Sequence, residues 1–260
     1  MRGLIKPAED CALAYVDWKQ QEFGIAAVLS RDKMMEEAYL SGDPYLAFAK
    51  QAGAVPPDAT RQSHGQQRDQ FKTCVLGVQY GIGPNSLAIR AGCVTMRARQ
   101  LLDLHRQVYS TFWRWNENVV DSGLLSGEMP KTVFGWRLHL PHDTPDEPNG
   151  RSLGNHPMQS HGSEMLRLAC SMATERGIKV CAPVHDAVLI EAPIDQIDAD
   201  IAGMRSIMAE ASRTVLSGFE LGTDVSITQY PDRYVDGRGV DMWQRVMRLM
   251  EELRTEGAAH

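Results

Sequence analysis

The sequence lacks the features that mark secreted proteins, membrane-spanning proteins and proteins with structural metal sites. None of its apolar runs reaches the roughly 18 residues needed to cross a bilayer. The first seven residues contain neither an apolar signal core nor a cleavage site. The five cysteines are scattered and form no CxxC motif, so they indicate neither a disulfide framework nor a zinc site. These absences predict a cytoplasmic protein with no membrane partner.

The sequence also lacks an overall excess of positive charge, a phosphate-binding loop and internal repeats. Its net charge of −6 argues against a uniformly basic coat for nucleic acid, and no GxxxxGK[ST] motif occurs. The basic residues are nevertheless concentrated, because residues 61–114 contain eight Lys and Arg but only two acidic residues. This segment indicates either a localised site for a polyanion or a solvated helix face, and charge alone does not separate the two.

The order of apolar patterns predicts an α+β fold in which a block of helices is inserted into a platform of strands and helices. Strands are expected at 12–17, 178–182, 188–192 and 219–229, with a further hairpin over 131–141 and a polar loop over 142–150. Ser63 with Gln66 resembles a capping box. The expected helices run over 20–30, 31–40, 42–53, 66–80, 95–120, 153–176, 195–217 and 239–255, with one more between 84 and 95.

Two aspartates that are far apart in the sequence are the candidate metal ligands. Asp186 lies in the pentapeptide 183–187, between two apolar runs that predict a hairpin, and Asp17 ends the first predicted strand. Only a tertiary fold can bring these residues together. Paired carboxylates are suited to Mg²⁺, which binds oxygen ligands and keeps substrate phosphates in its shell. The alternative is that each aspartate only ends a strand or caps a turn.

The predicted helix over 66–80 carries a second candidate site. Arg68, Lys72, Leu76 and Tyr80 follow one another at intervals of four residues and so share one face. This face changes from cationic to apolar and then to aromatic, which matches the order of phosphates, sugar and base in a nucleoside triphosphate. The alternative is an ordinary amphipathic helix with two exposed cations.

A third candidate lies at the start of the predicted helix over 153–176. Asn155 and Gln159 are four residues apart, and Arg151 precedes Asn155 by the same interval. Amide side chains on a helix face can bind the minor-groove acceptors of a base pair with little discrimination between pairs. The alternative is that Asn155 caps the helix and Gln159 is solvated.

Five segments, taken together and in this order, resemble the polymerase domain of family A DNA polymerases, the bacterial polymerase I type, and especially its divergent phage members. Residues 17–22 resemble motif A, and residues 68–81 resemble motif B in the spacing of Arg, Lys, Gly and Tyr. Residues 135–141 resemble a conserved hairpin of the family, and residues 155–159 resemble its Asn-x-x-x-Gln segment. Residues 184–187 resemble motif C.

The resemblance implies a palm with an antiparallel sheet and inserted helical fingers. The expected boundaries are 1–34 for the palm segment with motif A, 35–125 for the fingers with motif B, and 126–260 for the palm with motif C. The thumb and exonuclease that the family places before motif A match nothing in the chain, so both are expected to be absent. If a phage encodes the chain, the expected location is the host cytoplasm.

The resemblance also implies template-directed addition of a dNTP to a primer 3′-OH, with release of pyrophosphate. The implied cofactors are two Mg²⁺ ions, for which Mn²⁺ is a substitute. The expected partners are primer–template DNA, dNTP and a separately encoded thumb or exonuclease part. Three alternatives stay open: a split polymerase piece that binds ligands but needs its partner for activity, a remnant without polymerase activity, and an unrelated nucleotide-binding domain. If the chain is an unrelated nucleotide-binding domain, Asp17 and Asp186 would lie far apart.

The implied roles fall on fourteen positions. Asp17 and Asp186 would hold the metal ions, and Lys72 would donate a proton to the leaving pyrophosphate. The nucleotide would contact Arg68, Lys72, Leu76, Tyr80, Glu22 and Gln20, with Glu22 excluding ribonucleotides. Gly81 would help the helix pivot. DNA would contact Arg151, Asn155, Gln159, His185 and Arg137.

Two positions depart from the family pattern in ways that affect the expected chemistry. Leu76 stands where the family usually has Phe or Tyr, so altered nucleotide selection or speed is expected. Ala187 replaces the usual Glu of motif C and removes one carboxylate, although two aspartates are sufficient for the two-metal scheme.

Overall fold

The protein, seen in a computed structural model that describes residues 4–140, 150–235 and 237–257, is built on four antiparallel strands and a set of helices. The strands are β1 (Cys11–Trp18), β2 (Val180–Val184), β3 (Ala187–Pro193) and β4 (Thr223–Gln229). The first helices are α1 (Gln21–Ser30), α2 (Lys33–Leu40), α3 (Pro44–Gln51), α4 (Gly65–Gln79), α5 (Pro84–Ala91), α6 (Thr95–Val108) and α7 (Ser110–Ser126). They are followed by α8 (Gly150–Glu175), α9 (Ile197–Val215) and α10 (Val240–Gly257).

The sheet has the strand order β2-β3-β1-β4, so the first strand of the chain lies between two strands that come much later. Alternation along β1 buries Ala12, Ala14, Val16 and Trp18 on one face, which packs against α9. The Trp18 indole donates a hydrogen bond to the carbonyl of Met208 at 3.3 Å. The opposite face of β1 therefore carries the odd-numbered residues, which end with Asp17.

The helices between α1 and α8 share a continuous apolar core with the sheet. Phe48 is fully buried at its centre, and its ring centroid lies 4.8 Å from that of Phe71 and 5.1 Å from that of Tyr109. Asp32 ties two helices together, because one carboxylate oxygen caps α2 and the other accepts the Phe112 amide of α7 at 3.0 Å. This core holds the helical block in a fixed position on the sheet.

The α+β prediction is confirmed, whereas several local predictions are wrong. The helix expected over 95–120 is two helices separated at Tyr109, whose backbone leaves helical geometry while its ring is buried against Phe23 and Phe48. Ser63 does not cap α4; its hydroxyl bonds with Thr60 and His64 instead.

Three more predictions concern the second half of the chain. The helix expected from 153 begins at Gly150, so Asn155 and Pro157 lie inside α8 and the capping alternative for Asn155 is wrong. The segment expected to form a hairpin over 131–141 contains no named strand, but it folds back on itself with a turn near Gly135: the Met129 amide donates to the Leu138 carbonyl at 2.8 Å, the Thr132 amide to the Trp136 carbonyl at 2.9 Å, and Glu128 bridges His139. Of the polar loop expected over 142–150, residues 142–149 lie outside the described residues and Gly150 is the first residue of α8. Among the residues that are described, no helix has the length and apolar character needed to cross a membrane.

Candidate active site

Asp17 and Asp186, 169 residues apart in sequence, lie at the same end of the sheet. Asp17 is in register with Ala187 of β3, and Asp186 lies in the two-residue turn that joins β2 to β3. The Trp18 amide donates to the carbonyl of Asp186 at 3.2 Å, which fixes the turn against the end of β1. This register argues against an unrelated domain in which the two aspartates lie far apart.

The backbone beside both aspartates adopts a conformation that side chains usually avoid. His185 has a φ of 58°, and Gln20, which precedes α1, has a φ of 42°. Neither residue is glycine, so each position costs on the order of 1 kcal/mol or more, and such strain concentrates at functional sites. These strained positions lie three residues after Asp17 and one residue before Asp186.

The residues at this end of the sheet fit a magnesium site. Asp17 and Asp186 are both half-buried, and their oxygens are the hard ligands that Mg²⁺ prefers. Among the described residues no group of three or more His, Cys, Asp or Glu side chains forms a closed metal cluster. A site with only two carboxylates leaves coordination positions for water and for the phosphate oxygens of a substrate.

Arg68, predicted to bind phosphate, is buried and paired with carboxylates. Its Nε donates to Asp43 at 2.5 Å, and its guanidinium also contacts Asp69 at 3.2 Å. Burial acts against the charged guanidinium, but the hydrogen bonds and charges of the two aspartates raise the pKa of Arg68 above its ordinary value. Arg68 is therefore permanently charged, and a phosphate would have to compete with Asp43 for it.

The other three residues of the predicted α4 face are exposed at the surface. Lys72 is exposed, and its ammonium lies 5.7 Å from the ring centroid of Tyr45. The Arg68 guanidinium lies 5.2 Å from the same centroid. Leu76 and Tyr80 are also exposed, with Tyr80 at the end of the helix. The helix thus presents cationic, apolar and aromatic groups to solvent in the order that the sequence predicted.

Tyr80, Glu22 and Gln159 form a polar cluster that joins three predicted motifs. The Tyr80 hydroxyl and the Gln159 amide both donate to the same carboxylate oxygen of Glu22. Desolvation and the adjacent Glu22 carboxylate raise the pKa of Tyr80 to about 12, whereas Asn155 and Gln159 oppose this shift. The hydroxyl is therefore protonated at neutral pH and acts as a donor to Glu22.

Two glycines allow the elements of this cluster to approach one another. A Cβ atom at Gly162 of α8 would lie 2.7 Å from Oε1 of Gln21 on α1, so glycine permits α8 to cross close to α1. Gly81 has a φ of +63°, and a Cβ there would lie 2.7 Å from Cγ of Arg151. Arg151 therefore packs directly against the turn after α4, which places it beside Tyr80.

The predicted DNA contacts Arg137 and His185 lie on two different segments. Arg137 lies between α7 and α8, where it forms an ion pair with Glu128. This segment is attached to α8 by Glu164, which accepts bonds from the Thr132 hydroxyl and the Phe134 amide. His185 is exposed at the turn that carries Asp186. Pro141, the last residue of the predicted hairpin motif, lies outside the described residues.

Sequence reasoning missed three charged residues around the site. Asp224 of β4 is in register with Asp17 and forms an ion pair with Lys19 at 2.9 Å. Asp43 holds Arg68, as described above. The position of Lys19, two residues after Asp17, was a usable signal, but Asp43 and Asp224 come from distant segments that only the fold brings to the site.

Comparisons with known proteins give a consistent result. Residues 1–229 match the family described as DNA polymerase family A. The chain is 26% identical over 212 residues to DNA polymerase I of Deinococcus radiodurans, and the aligned region covers 77% of this chain and 22% of that protein. It is 25% identical over 218 residues to the DNA polymerase of Mycobacterium phage D29, and the aligned region covers 83% of this chain and 34% of that protein.

A solved structure shows the same fold. The POL domain of Pol1 from M. smegmatis, in complex with DNA primer-template and dNTP, matches with a TM-score of 0.71 and 24% identity. The match covers 87% of this chain and 41% of that one, so the chain spans well under half the length of its relatives. Since the family match extends over most of the sequence, the chain belongs to DNA polymerase family A.

Proposed function

We propose that the chain is the catalytic segment of a DNA-directed DNA polymerase, which adds a dNTP to a primer 3′-OH under template direction and releases pyrophosphate. The observation that carries this proposal is the approach of Asp17 and Asp186 at one end of the sheet, beside a cluster that links Glu22, Tyr80 and Gln159. Positioning and charge stabilisation account for most of the catalysis in phosphoryl transfer, and this arrangement supplies both.

Asp17 and Asp186 are the residues that would hold two Mg²⁺ ions, or Mn²⁺ in their place. Such ions supply charge stabilisation at the attacking and leaving oxygens when they are bound. The protein contributes a rigid frame, because Asp17 is fixed by pairing with both neighbouring strands and Asp186 by a short turn. Lys19 and Asp224, which flank Asp17, add a positive and a negative charge to the edge of the site.

The incoming nucleotide would lie along the exposed face of α4. Lys72 is a solvated cation that can bind the triphosphate and donate a proton to the pyrophosphate leaving group, and Arg68 adds a fixed positive charge behind it. Leu76 and Tyr80 would contact the sugar and base. Gln20, which precedes α1, and Glu22, which lies in its first turn, would contact the sugar side of the nucleotide.

Primer–template DNA would contact the residues on and around α8. Arg151 and Gln159 are exposed there, and Asn155 is buried beside Tyr80, so this helix offers one cation and two amides to a base pair. His185 and Arg137 would contact the strands from the two neighbouring segments. The predicted boundaries at 34 and 125, which separate fingers from palm, are part of this proposal.

One observation favours a second candidate, a polymerase piece that binds nucleotide or DNA but is inactive without an N-terminal partner. Arg68 already has two carboxylate partners, so its affinity for a triphosphate is reduced in the chain as it stands. A separately encoded thumb or exonuclease part is the proposed partner in this case. This partner would bind the duplex and so raise the local concentration of primer–template DNA at the site.

Primer extension distinguishes the two candidates. A fluorescent primer–template, dNTPs and Mg²⁺ are incubated with the chain alone and with a thumb-containing N-terminal polymerase fragment added in trans. We expect Asp17→Asn and Asp186→Asn each to lower extension by about a hundredfold or more. The matched control is Asp121→Asn, which removes a carboxylate from the exposed side of α7 and should leave extension unchanged.

The outcomes separate cleanly. Extension that is insensitive to both active-site substitutions would refute the polymerase proposal. Extension only in the presence of the N-terminal fragment would support the partner-dependent candidate. Binding of dNTP or DNA without extension in either condition would favour a remnant without polymerase activity.

A further inference from the structure

Helix α10 projects from the fold without a partner in the described part of the chain. It spans Val240–Gly257, beyond residue 229, where the family match ends. Among the described residues its only extended contact with another element is with the 3₁₀ turn Gly237–Gly239 that leads into it. The apolar core that joins the sheet to the helical block contains no residue of α10. The helix therefore lies outside both the family match and the apolar core.

The apolar residues of α10 form a seam with heptad spacing. Met242, Val246, Leu249 and Leu253 follow one another at intervals of four, three and four residues, which corresponds to alternating d and a positions of a heptad. All four are exposed, from 41% for Val246 to 67% for Leu253. Such a seam is typical of a helix that packs against another helix.

The length of α10 makes an isolated helix unfavourable. Its 18 residues span about 27 Å, and helices of this size are marginal in water unless an apolar face is covered. The seam from Met242 to Leu253 spans less than two heptads, so pairing with another helix would be reversible and dependent on concentration. The helix therefore needs a partner that covers its apolar face.

The charges beside the seam identify the partner. Arg245 and Glu252 lie seven residues apart on the same flank, at the g positions of the heptad. In a parallel pair Arg245 would face Met250 of the second copy, and the two opposite charges would not meet. In an antiparallel pair with Val246 against Leu249, Arg245 lies beside Glu252 of the second copy, and the two-fold axis makes this contact twice.

The other flank is self-complementary in the same arrangement. Trp243 and Met250 occupy the e positions, where Trp243 is half-buried and Met250 exposed. Antiparallel pairing brings Trp243 of one copy against Met250 of the other, which covers both apolar side chains. We propose that α10 is a dimerisation helix that pairs in antiparallel orientation with α10 of a second copy of this chain.

Sedimentation velocity over a range from low micromolar to several hundred micromolar protein tests the proposal. The wild-type chain should show a monomer–dimer equilibrium, and Leu249→Glu should make it monomeric. Arg245→Glu and Glu252→Arg should each weaken dimerisation by about tenfold, because each replaces two attractive contacts by two repulsive ones. The matched control is Arg248→Glu, which makes the same charge change on the outer face and should have little effect.

The decisive experiment mixes the two charge variants. The copy with Arg245→Glu carries only acidic g positions and the copy with Glu252→Arg only basic ones, so an equimolar mixture should form heterodimers more strongly than either variant alone. Circular dichroism confirms that each variant stays folded. A wild-type chain that is monomeric at every concentration, or a mixture that does not regain dimers, would overturn the proposal. So would a dimer that Leu249→Glu leaves intact.

Discussion

Replacing Asp43 by asparagine removes the charge that holds Arg68, while it keeps the oxygen that caps a helix. One oxygen of Asp43 accepts the Leu46 amide at 3.2 Å at the start of α3, and the other accepts from Nε of Arg68 at 2.5 Å. The Arg68 side chain is only 9% exposed and that of Asp43 27%, so solvent compensates little for the loss. The two functions of one carboxylate can therefore be separated by two substitutions.

The magnitudes follow from the two bonds. A hydrogen bond between charged groups in a partly buried site contributes about 2 kcal/mol, so Asp43→Asn should lower the free energy of unfolding by about that amount. Asp43→Ala loses the cap as well, which adds about 1 kcal/mol and gives about 3 kcal/mol in total. Asp69, whose side chain is 73% exposed, compensates only weakly for the missing partner of Arg68.

Urea denaturation followed by far-ultraviolet circular dichroism measures these differences. A double-mutant cycle with Arg68→Met isolates the ion pair, and in that background we expect Asp43→Asn to cost less than about 0.5 kcal/mol. Equal costs for Asp43→Asn and Asp43→Ala would refute the capping role. A cost of Asp43→Asn that is unchanged by Arg68→Met would refute the assignment of its effect to the ion pair.

Three further predictions concern the turn after α4, a buried histidine and the nucleotide face. Gly81→Ala should lower the free energy of unfolding by about 1–2 kcal/mol because its φ is +63°, whereas Gly83→Ala, at a φ of −84° with no atom near the added Cβ, should have little effect in the same urea assay. Burial lowers the pKa of His105 to about 3. Below about pH 6.5 the unfolded chain therefore binds a proton at His105 that the folded chain does not bind. The free energy of unfolding should fall as pH decreases below that value, by up to about 1.4 kcal/mol per pH unit. A pH series that is identical in wild type and His105→Gln would contradict this. Leu76→Phe should change the kcat or KM for dNTP in steady-state primer extension, and unchanged kinetics would remove any role of Leu76 in selection.

Local patterns predicted most of the elements because their information is short-range. Alternation defined β1, and the two apolar runs around Asp186 defined a hairpin whose strands differ from the prediction by a few residues at most. Where the prediction was wrong, a tertiary contact overrode the local signal. Tyr109 interrupts a run with helical periodicity because its ring is buried in the core, and Asn155 lies within a helix that begins earlier than its apparent cap.

In the candidate site, too, the short motifs were predictable from the sequence and the contacts between distant segments were not. The order and spacing of Asp17, Arg68, Tyr80 and Asp186 were sufficient to identify the family, because these residues fall within short motifs. The pairing of Arg68 with Asp43 was not predictable, since the two residues belong to different helices and only packing determines their distance.

The sequence by itself determined the family and the motif residues of the candidate site, because motif spacing is a property of the chain. Only the tertiary structure decided which of these residues meet. β1 lies between strands that follow it by more than 150 residues, and this order places Asp17 beside Asp186 and Asp224. The tertiary structure also decided that the seam of α10 is exposed. Heptad spacing predicts that a helix packs against another helix, but it does not predict whether the same fold supplies that helix.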